Sequence, residues 1–240
     1  MSLCLRIHCA SVYFLFLNLG WSSARQLLSG VKLLPVLHNL EPKLARVVYE
    51  SFDPARITAC SVSLRNDRAF DALSELRVVN EQARSASGSS GLLIGASTVC
   101  SERQVRLAKE CGADYISTMY FSERLVNVAN TCCLPVLCGV INVIEALETL
   151  EDKVESIKFY PSSAVTPAAL LDLILEMGSN AIGKDVIVAG GITESNMPAY
   201  LKAGATGFAV GIDCRKVISN PRYIQMLLDP FIQTLDSFGC

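Results

Sequence analysis

From residue 33 onward, short apolar runs alternate with longer amphipathic stretches at intervals suited to repeated strand and helix units, and about eight such units fit in the chain. Repeated β-then-α units predict a parallel sheet covered by helices, and eight of them close into a (β/α)8, or TIM, barrel of one domain. The candidate strands are Leu33 to His38, Ile57 to Leu64, Leu92 to Ser97 and Tyr115 to Tyr120, then Pro135 to Val140, Ser156 to Tyr160, Val186 to Ala189 and Gly207 to Gly211. One helix is expected over Ser101 to Cys111, where Val105, Leu107 and Ala108 share a side and Gly112 ends the turn. Another follows Pro167, with Ala168, Leu170, Leu171, Leu173, Ile174 and Leu175 as a broad apolar face, and stops near Gly178. The stretch from Ser85 to Gly91, rich in Ser and Gly, reads as a loop at the lower end of the barrel.

Composition sharpens this picture. With 51% hydrophobic and 18% charged residues, the strands are expected to be buried on both faces. Lys and Arg total 21 against 23 for Asp and Glu, so no basic field attracts a nucleic-acid backbone. Ten cysteines include no Cys-x-x-Cys pair, and two histidines are too few to complete a zinc set, so no metal site is expected. Cys60, Cys100, Cys111, Cys138 and Cys214 lie in or beside apolar segments and read as small core hydrophobes.

Before the barrel, Arg6 precedes an apolar stretch from Val12 to Leu19, followed by Ser22, Ser23 and Ala24, in the manner of a secretory or organelle leader. At roughly a dozen apolar-rich positions it is short of the approximately 20 needed to span a bilayer, so no stable membrane anchor is expected. A mis-assigned coding start, or a first helix closing the bottom of the barrel, would explain it equally well. The expected division is thus a leader or extra helix over 1–32 and a barrel over 33–240, in the cytoplasm or an organelle.

Barrels of this kind place their binding residues where strands end. The run Ser156-Ile157-Lys158-Phe159-Tyr160-Pro161 puts a lysine inside an otherwise apolar strand. Bringing a lysine pKa from about 10.4 to near 7 means disfavouring its charge by roughly 4 kcal/mol, and the product is a nucleophilic amine that can form a Schiff base with a ketone. A lysine snorkelling from the barrel end gives the same pattern. Val188-Ala189-Gly190-Gly191-Ile192-Thr193 runs an apolar strand into paired glycines, and Val210-Gly211 ends the next strand. Backbone amides can approach an anion there, although tight turns use such glycines too. Ile94-Gly95-Ala96-Ser97-Thr98-Val99 ends in hydroxyls, and Arg65 closes the second strand with a guanidinium able to grip a carboxylate or phosphate.

In this order the segments resemble the family of 2-keto-3-deoxy-6-phosphogluconate (KDPG) and 4-hydroxy-2-oxoglutarate (KHG) aldolases. The resemblance covers about residues 33 to 215. It rests on Leu34-Pro35-Val36, Val62-Ser63-Leu64-Arg65, Gly95-Ala96-Ser97-Thr98-Val99, Pro135-Val136-Leu137-Cys138-Gly139-Val140, Lys158-Phe159-Tyr160-Pro161 and Gly190-Gly191-Ile192. It implies a class I aldolase without metal or organic cofactor, a trimer of barrels, cleaving a small keto acid to pyruvate and an aldehyde. Lys158 matches the Schiff-base lysine. Arg65 and Thr98 match positions that contact the pyruvate portion, and Gly190, Gly191 and Gly211 match phosphate-binding turns.

The pattern also departs from the family. Ser61 stands where the family has a glutamate, and a serine is no carboxylate base; general acid-base help is typically worth about 10² to 10⁴ in rate. His38, at the end of the first strand, could relay protons instead. Asp213 falls near where the family often has a serine that helps to hold phosphate, and a carboxylate there would repel that dianion. Thr118-Met119-Tyr120 replaces a proline-glycine turn, and Thr166-Pro167 replaces a glycine pair. Two readings stay open: a carbon-carbon lyase acting through Lys158, with activity weakened by Ser61, or an impaired barrel that binds an anionic metabolite or a protein partner. A barrel resembling thiamine phosphate synthase is a third, though it needs magnesium-binding carboxylates that the strand ends do not supply.

Overall fold

Eight strands form where the apolar runs predict them: β1 (Leu33–His38), β2 (Ala59–Ser63), β3 (Leu93–Val99), β4 (Tyr115–Thr118), β5 (Val136–Val140), β6 (Ser156–Phe159), β7 (Asp185–Ala189) and β8 (Gly207–Asp213). This computed structural model describes residues 28–239 except Ser89, Asp152, Lys153 and Glu155. Each strand pairs in parallel with the next, and β8 returns to β1 over the full register from Leu33↔Phe208 to His38↔Asp213. The ring is therefore closed, a single-domain (β/α)8 barrel.

The connecting helices are α1 (Ala45–Glu50), α2 (Ala69–Ser87), α3 (Glu102–Glu110), α4 (Glu123–Thr131), α5 (Val143–Glu151), α6 (Pro167–Met177), α7 (Met197–Lys202), α8 (Lys216–Ser219) and α9 (Tyr223–Ser237). Local chemistry sets their starts. Ser101, Ser122 and Thr166 each accept a backbone N–H of the first turn, from Gln104, Leu125 and Ala169, which satisfies donors that the helix itself leaves free. Thr166-Pro167 thus serves as a helix start.

Strand alternation divides the core into two shells. Outward residues such as Cys60, Val62, Ile94, Ile157 and Phe208 pack beneath the helices, while inward Leu34, Ala59, Tyr115, Leu137 and Ile187 fill the lower barrel. Leu28 and Val31 join that lower cluster, and the chain crosses so close to the start of β8 that a Cβ on Gly207 would lie 2.4 Å from the Val31 carbonyl oxygen. The proposed leader lies outside the described residues for positions 1–27. Among the described residues no helix is long and apolar enough to cross a membrane.

Three expectations need correction. Ser85 to Ser87 belong to α2, not to a loop, because Ser85 and Ser87 hydroxyls bond back to the Glu81 and Ala83 carbonyls and the left-handed Gly88 supplies the stop. On α6, Leu170 and Leu173 are buried, but Leu171 and Leu175 face outward, 44% and 68% exposed, since a full apolar arc is wider than one helix can press onto a barrel. Cys60, Cys138 and Cys214 are core residues, with the Cys214 thiol pushed up to about 12 by burial, whereas Cys100 is exposed just beyond β3, on the approach to α3.

Candidate active site

Lys158 projects from β6 into the barrel, 8% exposed. Its Nζ donates to Ser117 Oγ and to the Thr118 carbonyl, each at 2.7 Å, both at the end of β4. The Tyr160 ring centroid is 5.7 Å away. Burial, the largest influence, lowers its pKa to about 8; Arg65 acts in the same direction and the Cys138 and Cys100 thiols act against it. About a tenth of the amine is therefore free at pH 7, far more than for an ordinary lysine.

Gly139 explains how the Thr118 carbonyl reaches this position. It pairs with Lys158 across β5 and β6, and a Cβ there would lie 2.5 Å from the Met119 carbonyl carbon and 2.7 Å from Thr118 O. Gly139→Ala must push the β4 end away from the amine. We expect a loss of about 1–3 kcal/mol in stability, read by urea denaturation, together with weakened reaction of Lys158 with carbonyl compounds.

Above the apolar lower barrel, the interior becomes hydroxylic. Ser61, Ser63, Ser97 and Ser117 are all buried on β2, β3 and β4. Thr98 adopts φ 65°, costly for a β-branched residue, where the β3–β4 register shifts, and its hydroxyl lies 3.1 Å from Ser63 Oγ. Ser61 Oγ and Ser97 Oγ are buried without a hydrogen bond of normal geometry, although the Tyr115 hydroxyl, which donates to Cys60 O, lies near Ser61. Both serines line the cavity, so they face space where a ligand's oxygen atoms can be received.

That cavity holds about 660 Å³ and opens at the strand ends. It brings together Lys158, Arg65, Thr98, Gly190, Gly191 and Gly211, the six residues singled out from sequence. Arg65 is exposed, and its guanidinium reaches across the mouth to within 3.4 Å of the Tyr160 hydroxyl. Gly190 and Gly191 have φ of 81° and 85°; a Cβ on Gly190 would sit 2.8 Å from the Tyr160 ring, so the turn has room only for glycine. Gly211 lies against His38, whose Nε2 would be 3.1 Å from a Cβ there. His38 is half-buried, and burial, then Arg65, lowers its pKa against the opposing pull of Asp213. Asp213 is tied to Asn39 and to both arms of Arg215, and these donors hold its carboxyl far below the usual range. Among the described residues no group of three or more His, Cys, Asp or Glu side chains is placed to hold a metal ion.

Sequence reasoning singled out Ser61 as a departure from the family but assigned no role to Ser63, Ser97, Ser117, Tyr160 or the part of α9 that reaches the cavity. The serines had a signal: Ser61 and Ser63 recur with period two in an apolar strand, which puts both on one face. Met226, Leu227, Pro230 and Phe231 of α9 had none, since helix periodicity says nothing about which strand end the helix will cover.

Residues 25–221 match the family model for KDPG and KHG aldolases. A probable 2-dehydro-3-deoxy-6-phosphogalactonate aldolase from Rhizobium meliloti (strain 1021) is 24% identical over 179 residues, 75% of this chain and 79% of the relative. A 2-dehydro-3-deoxy-6-phosphogalactonate aldolase from Escherichia coli (strain K12) is 30% identical over 121 residues, covering 50% of this chain and 58% of that protein. Among solved structures, KDPG aldolase from Legionella pneumophila, with pyruvate captured as a covalent carbinolamine, superposes with a TM-score of 0.69 at 22% identity, covering 85% of this chain and 95% of that one. A barrel whose mouth holds a buried lysine, matched to one family model over most of its length, has its place: the chain belongs to the KDPG and KHG aldolase family.

Proposed function

We propose that this protein is a class I aldolase that cleaves a 4-hydroxy-2-oxo acid of the 2-keto-3-deoxy type to pyruvate and an aldehyde through an imine on Lys158. The observation that carries this reading is the Lys158 amine, largely dry at the cavity mouth with a pKa near 8. The free amine attacks the substrate's C2 carbonyl, and loss of water gives an iminium. A base then takes the proton of the C4 hydroxyl, the C3–C4 bond breaks, its electron pair passes into the iminium to give an enamine, and the aldehyde departs. Protonation at C3 and hydrolysis release pyruvate. Arg65 and Thr98 are assigned to the pyruvoyl carboxylate, and the Gly190-Gly191 turn and Gly211 to the distal end. Borohydride in the presence of pyruvate tests the reading: a reduced adduct on the Lys158 peptide supports it. No mass shift would favour the competing reading, a barrel that binds without turnover, to which Ser61 lends its weight.

With serine at position 61, His38 is our candidate for the proton acceptor, since it lines the cavity and burial, then Arg65, lowers its pKa and so favours the neutral imidazole. His38→Asn should lower kcat about 10²-fold, while the yield of pyruvate adduct on Lys158, which needs no C4 proton transfer, should be little changed. A trimer is proposed on the family's habit and on the outward apolar residues Ile144, Leu171 and Leu175 of α5 and α6, which a neighbouring barrel would cover. Light scattering on the purified protein reads the mass directly.

A further inference from the structure

The cavity that holds Lys158 also has a far wall, and that wall is ill suited to a second anion. Among the described residues, the cations lining the cavity are Lys158 and Arg65. Lys158 must be neutral to react, which leaves one guanidinium, and a 2-oxo acid already brings one carboxylate to claim it. Glu194, an exposed acid, is part of the same lining and brings no positive charge to it.

Beyond the Gly190-Gly191 turn, the loops after β7 and β8 use several of their donors internally. The Thr193 amide bonds Asn196 Oδ1. The Cys214 amide bonds the His38 carbonyl, and the Arg215 amide bonds Asp213 Oδ1. Arg215, the guanidinium nearest the end of β8 in sequence, turns Nε and Nη2 onto the Asp213 carboxylate at 2.9 and 2.7 Å. Over this side lies α9, which packs on α7 and α8, the helices that follow those two strands. It gives the cavity Met226, Leu227, Pro230 and Phe231, and Ile192 adds to them from the β7 loop. Such a wall receives hydrocarbon well and a dianion poorly.

Resting on the aldolase reading above, we infer that the aldehyde portion of the substrate is uncharged and largely aliphatic, so that the protein acts on unphosphorylated 4-hydroxy-2-oxo acids with an alkyl substituent at C4. The Gly190-Gly191 turn can still direct an amide at a ligand oxygen, and a neutral hydroxyl or carbonyl is enough to use it. Phosphate recognition at that turn is the outcome the test must be able to detect.

The test is aldol synthesis from pyruvate with four acceptors: butanal, glyceraldehyde, glyceraldehyde 3-phosphate and glyoxylate. Butanal is expected to exceed both charged acceptors in kcat/KM by at least about tenfold. Higher kcat/KM for glyceraldehyde 3-phosphate or glyoxylate would overturn the inference. Borohydride trapping with pyruvate alone is run in parallel: an adduct together with preference for a charged acceptor leaves the aldolase reading standing and removes only this one, whereas no adduct removes both. A second arm adds a cation to the wall by Met226→Arg, at a position 63% exposed and thus tolerant of a long polar side chain. The ratio of butanal to glyceraldehyde 3-phosphate should fall at least fivefold, and an unchanged ratio would show that α9 does not face the acceptor.

Discussion

Lys158→Met forms no borohydride-stable adduct with pyruvate and loses turnover by about four orders of magnitude or more, because methionine keeps the unbranched stem, one atom shorter, and removes the nucleophile. In the wild type, trapping at fixed pyruvate should rise with pH through about 8, where the amine deprotonates, and fall nearly tenfold for each unit below it. A readout independent of turnover comes from folding. The folded amine titrates near 8 and the unfolded one near its ordinary 10.5, so between these values the unfolded chain holds more protons. Stability contributed by this group therefore rises with pH across that window, by about 3 kcal/mol in all, and is absent below it. Buried Cys60, Cys214 and Tyr115, whose pKa values are raised by burial, act oppositely as pH rises, so the quantity to compare is the pH dependence of the denaturation midpoint in wild type against Lys158→Met. If the two curves run parallel from pH 8 to 10.5, the amine is not held dry, and the covalent mechanism loses its physical basis.

The ring of strands could be read from residues because its signal is local and repeated. β1 begins and ends where the apolar run does, and the others differ by a few residues at their ends, where the pleat gives way to loops. Lys158 was legible for the same reason: one charged residue within an apolar run must be either paid for by function or led out to water. What holds it was not legible. Ser117 and the Thr118 carbonyl lie about 40 positions earlier in the chain and meet Nζ only because Gly139 lets β4 and β5 approach closely. Cys100 was misjudged because its apolar neighbours sit in β3, while the bulge at Thr98 carries the chain out to the rim. For α9 the face that enters the cavity follows from packing on α7 and α8, a tertiary fact that no window of sequence contains.

Ser61→Glu is the second large change, and it runs toward gain: kcat should rise about 10²-fold if the proton transfer missing at this position limits the reaction. The site can take the side chain. Ser61 points inward from β2 onto the cavity, and the added methylene group and carboxylate must extend into that space, because the Tyr115 ring fills the place beside Gly95, its partner in the β2–β3 register. Ser97 Oγ, buried and unbonded, is a donor free for that carboxylate, and Lys158 lies on the same cavity. The new charge has a cost, since a carboxylate without enough partners in this interior destabilises the fold by a few kcal/mol or takes up a proton. Ser61→Gln separates size from basicity: it fills the same space and hydrogen-bonds, but accepts no proton. A rise in kcat with Glu and none with Gln, at comparable thermal stability, would identify the missing carboxylate as the limiting part. An equal response in both variants would mean that His38, or a group elsewhere in the mouth, already carries the proton, and that the barrel has settled on a different base.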